Sequence, residues 1–136
     1  MFPKKEVNLI AAPSKQGVTI CLLEDDSSVL KATSRLLSSA GWKVESFLDP
    51  IAFLDYAQAH HPQVAILDIL MPVMNGLEVQ SRLRVLSPST RVIVLTSNDD
   101  PIVQSTAMRA GASAFFLKPA NNERFLTEIE SAASRT

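Results

Sequence analysis

Apolar positions along this chain follow two rhythms. Four short unbroken runs, Ile20 to Leu23, Val64 to Leu67, Val92 to Leu95 and Ala114 to Leu117, are rich in branched and aromatic residues. Runs of this length, bounded by polar residues, predict strands buried on both faces of a parallel sheet. Between them the apolar residues spread to three- and four-residue spacing, the signature of helices with one buried stripe. Such stripes are Val29, Leu30, Leu36 and Leu37; Ile51, Phe53, Leu54 and Tyr56; Leu77, Val79, Leu83 and Leu86; Ile102, Val103, Ala107 and Met108; and, from about Asn122, Phe125, Leu126 and Ile129. Ser27 or Ser28 can cap the first helix and Gly41 closes it. Asp49 with Pro50 opens the second, which His60-His61-Pro62 ends. Asp99, Asp100 and Pro101 start the fourth, which ends at Gly111. Trp42 to Phe47 alternates as a fifth, more polar strand.

Five strands alternating with five helices predict an α/β fold, a three-layer (βα)5 sandwich with right-handed crossovers and helices on both faces of a parallel sheet. The polar strand, Lys43 to Phe47, is expected at an edge. A doubly wound order 2-1-3-4-5 would set the first and third strands beside the topological switch point. Met1 to Gly17, punctuated by Pro3, Pro13, Ser14 and Gly17 and lacking any period, reads as a flexible arm. Residues 18–136 are then the domain.

Composition narrows the function. The 136 residues give room for one domain with a hydrophobic core. A net charge of −1 excludes a surface basic enough to grip nucleic acid unaided. No apolar stretch approaches the roughly 20 residues of a membrane span, and the start of the chain lacks a signal-peptide core, so a cytoplasmic location is expected. The single cysteine, Cys21, cannot form an intrachain disulfide and reads as a small core residue.

The strand ends carry the candidate chemistry. The first run leads into Glu24, Asp25 and Asp26, the second into Asp68, the third into Thr96 and Ser97, and the fourth into Lys118 and Pro119. Parallel strands share one carboxyl edge, and the ligand crevice of an open sheet lies outside it. Carboxylates gathered there suit a hard cation, while a hydroxyl and an ammonium suit phosphoryl oxygens.

At these residues the chain resembles the receiver domains of two-component response regulators. The matching segments are Leu22 to Val29, Leu67 to Gly76, Val94 to Ser97 and Gly111 to Pro119, in order and at the expected strand ends. The resemblance implies that Asp68 is the phosphoacceptor, that Asp25 ligates Mg2+ directly and Glu24 through a water, and that the main-chain carbonyl of Leu70 completes the protein ligands. It implies that Lys118 pairs with Asp68 before transfer and with a phosphoryl oxygen afterwards, while Thr96 Oγ donates to another. The Lys118-Pro119 bond is expected to be cis. Thr96 and Phe115 are the expected switch residues, with the fourth helix, fifth strand and last helix as the output surface. The implied partners are a sensor histidine kinase or phosphotransfer protein upstream and a protein target or fused effector domain downstream, with phosphorylation-promoted homodimers plausible by analogy. The chain is either a stand-alone receiver or the regulatory part of a longer, transcriptional regulator.

Departures from the family pattern are few. Glu24 replaces the commoner aspartate and keeps a carboxylate. Ser97 adds a hydroxyl beside the switch threonine. Leu70 and Asn98 occupy positions that influence phosphate lifetime; apolar Leu70 cannot hold an attacking water, which favours slow self-dephosphorylation. Singly, each site residue has a plainer reading: an acid at a helix start, a strand-end hydroxyl, a surface lysine. Asp26, Asp99 and Asp100 are assigned to that reading. Adjacent His60 and His61 lack useful metal-ligand spacing. Met71, Met74, Trp42 and Tyr56 read as packing residues. A haloacid dehalogenase-type phosphohydrolase would need a second acid where Leu70 stands. A flavodoxin-like FMN carrier would need a hydroxyl-rich phosphate loop where this chain has acids. A receiver that folds without being phosphorylated is disfavoured by the full set of residues.

Overall fold

Successive residues of a strand point to opposite faces, and in the inner strands of this sheet both faces are apolar. In β1 (Thr19–Leu23), Ile20 and Leu22 join one core while Cys21 and Leu23 join the other. β3 (Val64–Leu67) and β4 (Arg91–Thr96) divide in the same way. The structure, a computed structural model, describes Lys15 and residues 17–134. The remaining elements are α1 (Ser27–Ser39), β2 (Lys43–Phe47), α2 (Pro50–His60), α3 (Gly76–Leu86), α4 (Pro101–Arg109), β5 (Ala114–Leu117) and α5 (Asn122–Ser134). All five strands are parallel, in the order β2-β1-β3-β4-β5. α1 and α5 cover one face through Leu37, Phe125 and Ile129. α2, α3 and α4 cover the other through Phe53, Val79, Leu83 and Ala107. The three-layer doubly wound sandwich expected from the apolar pattern is the fold observed, with β2 at an edge.

Local detail departs from expectation in two places. Asp26, not Ser27 or Ser28, caps α1, its Oδ1 accepting from Ser28 N (2.9 Å) and Val29 N (3.2 Å). A carboxylate at the positive end of a helix gains from the dipole where a hydroxyl does not. β5 departs from burial on both faces, because it is the sheet's other edge: Ala114, Phe115 and Phe116 are half-buried and Leu117 is 46% exposed.

The amino edge of the sheet is fastened by Gln63. Its Oε1 accepts from Thr19 N (2.9 Å), its Nε2 donates to Gly17 O (3.1 Å), and its carbonyl accepts from Arg91 N (2.9 Å). Apart from Lys15 and Gly17, the expected arm lies outside the described residues, as do the last two positions of the expected domain. Lys15 is held: its Nζ donates to Ala40 O at the end of α1 and lies 4.7 Å from the Trp42 ring centroid. Among the described residues no helix is long and apolar enough to cross a membrane.

Candidate functional site

Backbone ladders carry the two central carboxylates into place. Glu24 N–H donates to Phe47 O (3.1 Å) and Asp68 N–H to Leu23 O (3.1 Å), each one residue past its strand. Both side chains are consequently buried, Glu24 3% and Asp68 5% exposed, while Asp25 faces solvent. One carboxylate oxygen from each of the three lies within 4.8 Å of the others.

The cation comes from the edge strand β5, across β4. Thr96 ends β4 fully buried, its carbonyl accepting from Lys118 N (2.9 Å) and its Oγ1 from Asn98 N (3.2 Å). Lys118 follows β5 in a cis peptide bond to Pro119. Its Nζ donates to Asp68 Oδ2 (3.1 Å) and also to Glu24 Oε1. The remaining oxygens are matched too: Asp68 Oδ1 accepts from Leu70 N (3.1 Å) and Glu24 Oε2 from Asp26 N (3.1 Å). Sequence reasoning pairs Lys118 with Asp68; the second pairing, with Glu24, is found only in the structure.

Three carboxylates face one ammonium, and the titration follows. Burial pushes the Glu24 carboxyl above its ordinary range, outweighing the Lys118 and Asp26 hydrogen bonds that pull it down, with the Asp68 charge adding to the rise. Burial pulls Lys118 down, yet its bonds to Glu24 and the charges of Asp68 and Glu24 carry it above the ordinary lysine value. The excess negative charge suits a divalent cation. Hard carboxylate oxygens are the donors Mg2+ selects, at about 2.0–2.1 Å, so opposite ligands stand about 4 Å apart. Oxygens within 4.8 Å of one another are compatible with that span, and a water-bridged ligand widens it further. The residues present fit the ion.

Two residues that sequence reasoning gave no role set the loop after Asp68. Asn75 caps α3, its side chain accepting from Glu78 N (3.0 Å). Gly76, first in α3, lies against the backbone of Asp68 and Ile69: a Cβ there would meet Asp68 O at 2.2 Å and Ile69 Cα at 2.8 Å. The Asn-Gly pair in the sequence signals a turn but not this contact. Leu70 lies in the same loop, half-exposed. Met74 is buried in the α2–α4 core and Met71 packs against it. Phe115 packs on that core as well. His60 Nδ1 lies 3.1 Å from Tyr56 O with its ring stacked on Tyr56, and His61 Nδ1 lies 3.1 Å from Ser87 Oγ. Cys21, buried in β1 near Glu45, has its thiol pushed up to about 12 by burial.

The sequence profile of the response regulator receiver domain matches residues 20–130. The chain belongs to that family. This receiver domain is 36% identical over 119 residues to the response regulator protein TodT of Pseudomonas putida, covering 88% of the chain and 52% of TodT. It thus spans about half the length of that relative. A response regulator receiver protein from Burkholderia phymatum is 35% identical in sequence and superimposes with a TM-score of 0.75, covering 88% of this chain and 97% of that one. A response regulator protein from Burkholderia pseudomallei, solved with a phosphorylated aspartic acid and a calcium ion, is 25% identical with a TM-score of 0.77, covering 86% and 69%. Receiver domains of this family are signalling switches of two-component systems rather than enzymes acting on a separate substrate, and they work between sensor kinases and effectors.

Proposed function

We propose that this receiver is a Mg2+-dependent switch that accepts a phosphoryl group on Asp68 from a histidine kinase or phosphotransfer protein. The observation that carries the reading is the convergence of Asp68, Glu24, Asp25 and Lys118 at one edge of the sheet, with Asp68 already bonded to the lysine. Glu24, Asp25, Asp68 and the Leu70 carbonyl would hold Mg2+, which when bound supplies charge neutralisation between an anionic nucleophile and an anionic donor. An Asp68 carboxylate oxygen forms the new P–O bond as the P–N bond to the donor imidazole breaks, the electron pair staying on nitrogen, which takes up a proton. Lys118 then passes from the Asp68 oxygen to a phosphoryl oxygen, and Thr96 Oγ donates to another. Half-exposed Leu70 offers no hydrogen bond to an attacking water, which supports a long-lived acyl phosphate. The phosphoryl-linked change is read from α4, β5 and α5 by a partner protein or by an effector domain outside this chain, and a cytoplasmic location goes with the proposed donor. The structure of the Burkholderia relative with its phosphorylated aspartic acid supports the assignment by likeness.

Intact-mass measurement after incubation with Mg2+ and acetyl phosphate tests it. A gain of one phosphoryl mass, lost in Asp68→Asn and in EDTA, is expected. Undiminished gain in Asp68→Asn would overturn the assignment.

A further inference from the structure

The loop after Asp68 ends in Asn75-Gly76, the one Asn-Gly pair in the chain; Asn8, Asn98, Asn121 and Asn122 are each followed by a larger residue. Such a pair has a chemistry of its own. The main-chain nitrogen after an asparagine can attack the side-chain amide, and glycine obstructs that attack least because it has no Cβ. The fold calls for both members here. Position 76 has no room for a Cβ, which would stand 2.2 Å from Asp68 O, and position 75 needs a short polar side chain to cap α3.

In the folded chain the reacting groups are engaged elsewhere. Gly76 N–H, which must lose its proton to become the nucleophile, donates to the carbonyl of buried Ile69 (3.0 Å). The Asn75 carboxamide, the electrophile, is held in the cap by accepting from Glu78 N (3.0 Å). Little packing backs these restraints. Leu70, Pro72, Val73 and Asn75 are exposed, and Met74 is the one buried side chain between Ile69 and Gly76. A segment with so few buried contacts opens without the core.

We propose that Asn75 is a self-modification site gated by the hydrogen bond between Gly76 N–H and Ile69 O, and that it converts to aspartate and isoaspartate, the second of which disables Asp68. Once that bond opens, the deprotonated Gly76 nitrogen bonds to Asn75 Cγ, and the side-chain nitrogen takes up a proton and leaves as ammonia. Water then opens the five-membered imide. Breaking the bond between nitrogen and Cγ leaves aspartate, which keeps the cap. Breaking the bond between nitrogen and the main-chain carbon leaves isoaspartate, whose chain runs through Cγ and gains Cβ as an extra main-chain atom. That atom displaces Gly76 from its place against Asp68 O and Ile69 Cα. The consequence for Asp68 rests on its reading as phosphoacceptor; the reaction at Asn75 does not.

The test follows the whole chain by peptide mapping during incubation at mildly alkaline pH, with a urea-unfolded sample in parallel and hydrogen exchange measured at Gly76 N–H of the folded chain. In urea, Asn75 is expected to convert before the other asparagines. In the folded chain it is expected to convert at least about tenfold more slowly, by the same factor that protects Gly76 N–H from exchange. Purified isoaspartate chains are expected to lose at least about tenfold in the rate of phosphoryl mass gain from acetyl phosphate, while Asn75→Asp keeps the parent's rate. Equal conversion in folded and unfolded chains would show that there is no gate, and a folded rate no higher than the globally unfolded fraction allows would show that the junction does not open by itself; either result overturns the proposal. So would isoaspartate chains that gain the phosphoryl mass as fast as the parent. A parent that gains none would sink the phosphoacceptor reading and the isoaspartate consequence with it, while the conversion rates still decide the gate.

Discussion

Glu24 sits in an environment that works against its own charge. It is buried beside Asp68 and near Asp25, and the single ammonium of Lys118 is shared between two carboxylates. Its pKa in the folded state is raised above 4.5, so between that value and the raised one the folded chain holds more protons than the unfolded chain. Stability contributed by Glu24 therefore falls as pH climbs through that window, and the full penalty is present above the raised value. Lys118 acts at the other end of the scale: its raised value means that its contribution is present below 10.5 and is lost as pH rises through the folded value. Glu24→Gln is thus expected to make the metal-free protein more stable at pH 7, by about 1 kcal/mol, and to erase the decline above pH 4.5. The same change should weaken Mg2+ binding at least about tenfold, because a carboxylate ligand is lost. Urea unfolding in EDTA across the acid-to-neutral range, paired with a Mg2+ titration, checks both halves; a destabilised variant would contradict the charge-excess account. At this scale the sequence identifies the acids, the hydroxyl and the lysine, since strand-end positions follow from the apolar runs. It does not reveal how the lysine divides itself, because that depends on side-chain reach across three strands.

The junction of β3 and α3 is the element on which the position of Asp68 rests. Gly76 N–H donates to Ile69 O (3.0 Å), closing the loop, and the space where a Cβ would stand is filled by Asp68 and Ile69 main chain. Backbone cannot rotate aside as a side chain can. Gly76→Ala is accordingly expected to cost about 1–3 kcal/mol or more and to slow phosphorylation by shifting Asp68, whereas Asn75→Ala removes only a cap, about 1 kcal/mol, with a smaller effect on rate. Denaturant midpoints together with mass-detected phosphorylation rates separate the two; equal rates in both variants would show that the close contact does not position Asp68. Most elements here are legible from the apolar rhythm because burial imposes it. What escapes that reading depends on neighbours distant in sequence. Asp26 wins the α1 cap partly because Glu24 Oε2 occupies its N–H. The Ala114 to Leu117 run has the composition of a central strand, and only the strand order makes it an edge. Ile102, counted in an apolar stripe, is 71% exposed on α4.

Across the whole molecule, the site and the expected output surface are joined by one strand. β5 begins beside α4 and α5 and ends at Lys118, and it is less buried than the inner strands β1, β3 and β4, so movement there disturbs the least packing. A phosphoryl group on Asp68 would draw Lys118 away from Glu24 and Thr96 Oγ1 away from Asn98 N–H. Two charge-assisted hydrogen bonds, at about 1.5–3 kcal/mol each, supply about 3–6 kcal/mol together. Moving a conformational equilibrium from 1:99 to 99:1 takes about 5.5 kcal/mol, so the two bonds approach what a full switch needs and neither alone reaches it. Phe115 is half-buried on the edge strand β5, where it packs on the α2–α4 core. Beryllofluoride with Mg2+, a non-hydrolysing stand-in for the phosphoryl group, is therefore expected to shift backbone resonances of α4, β5 and α5 and to change the Phe115 ring environment while leaving α2 in place. Thr96→Ala should lower the switched-to-unswitched ratio about 10- to 100-fold by removing one of the two bonds. Shifts confined to the loop after Asp68, or a Thr96→Ala variant that switches as fully as the parent, would show that β5 does not transmit the signal.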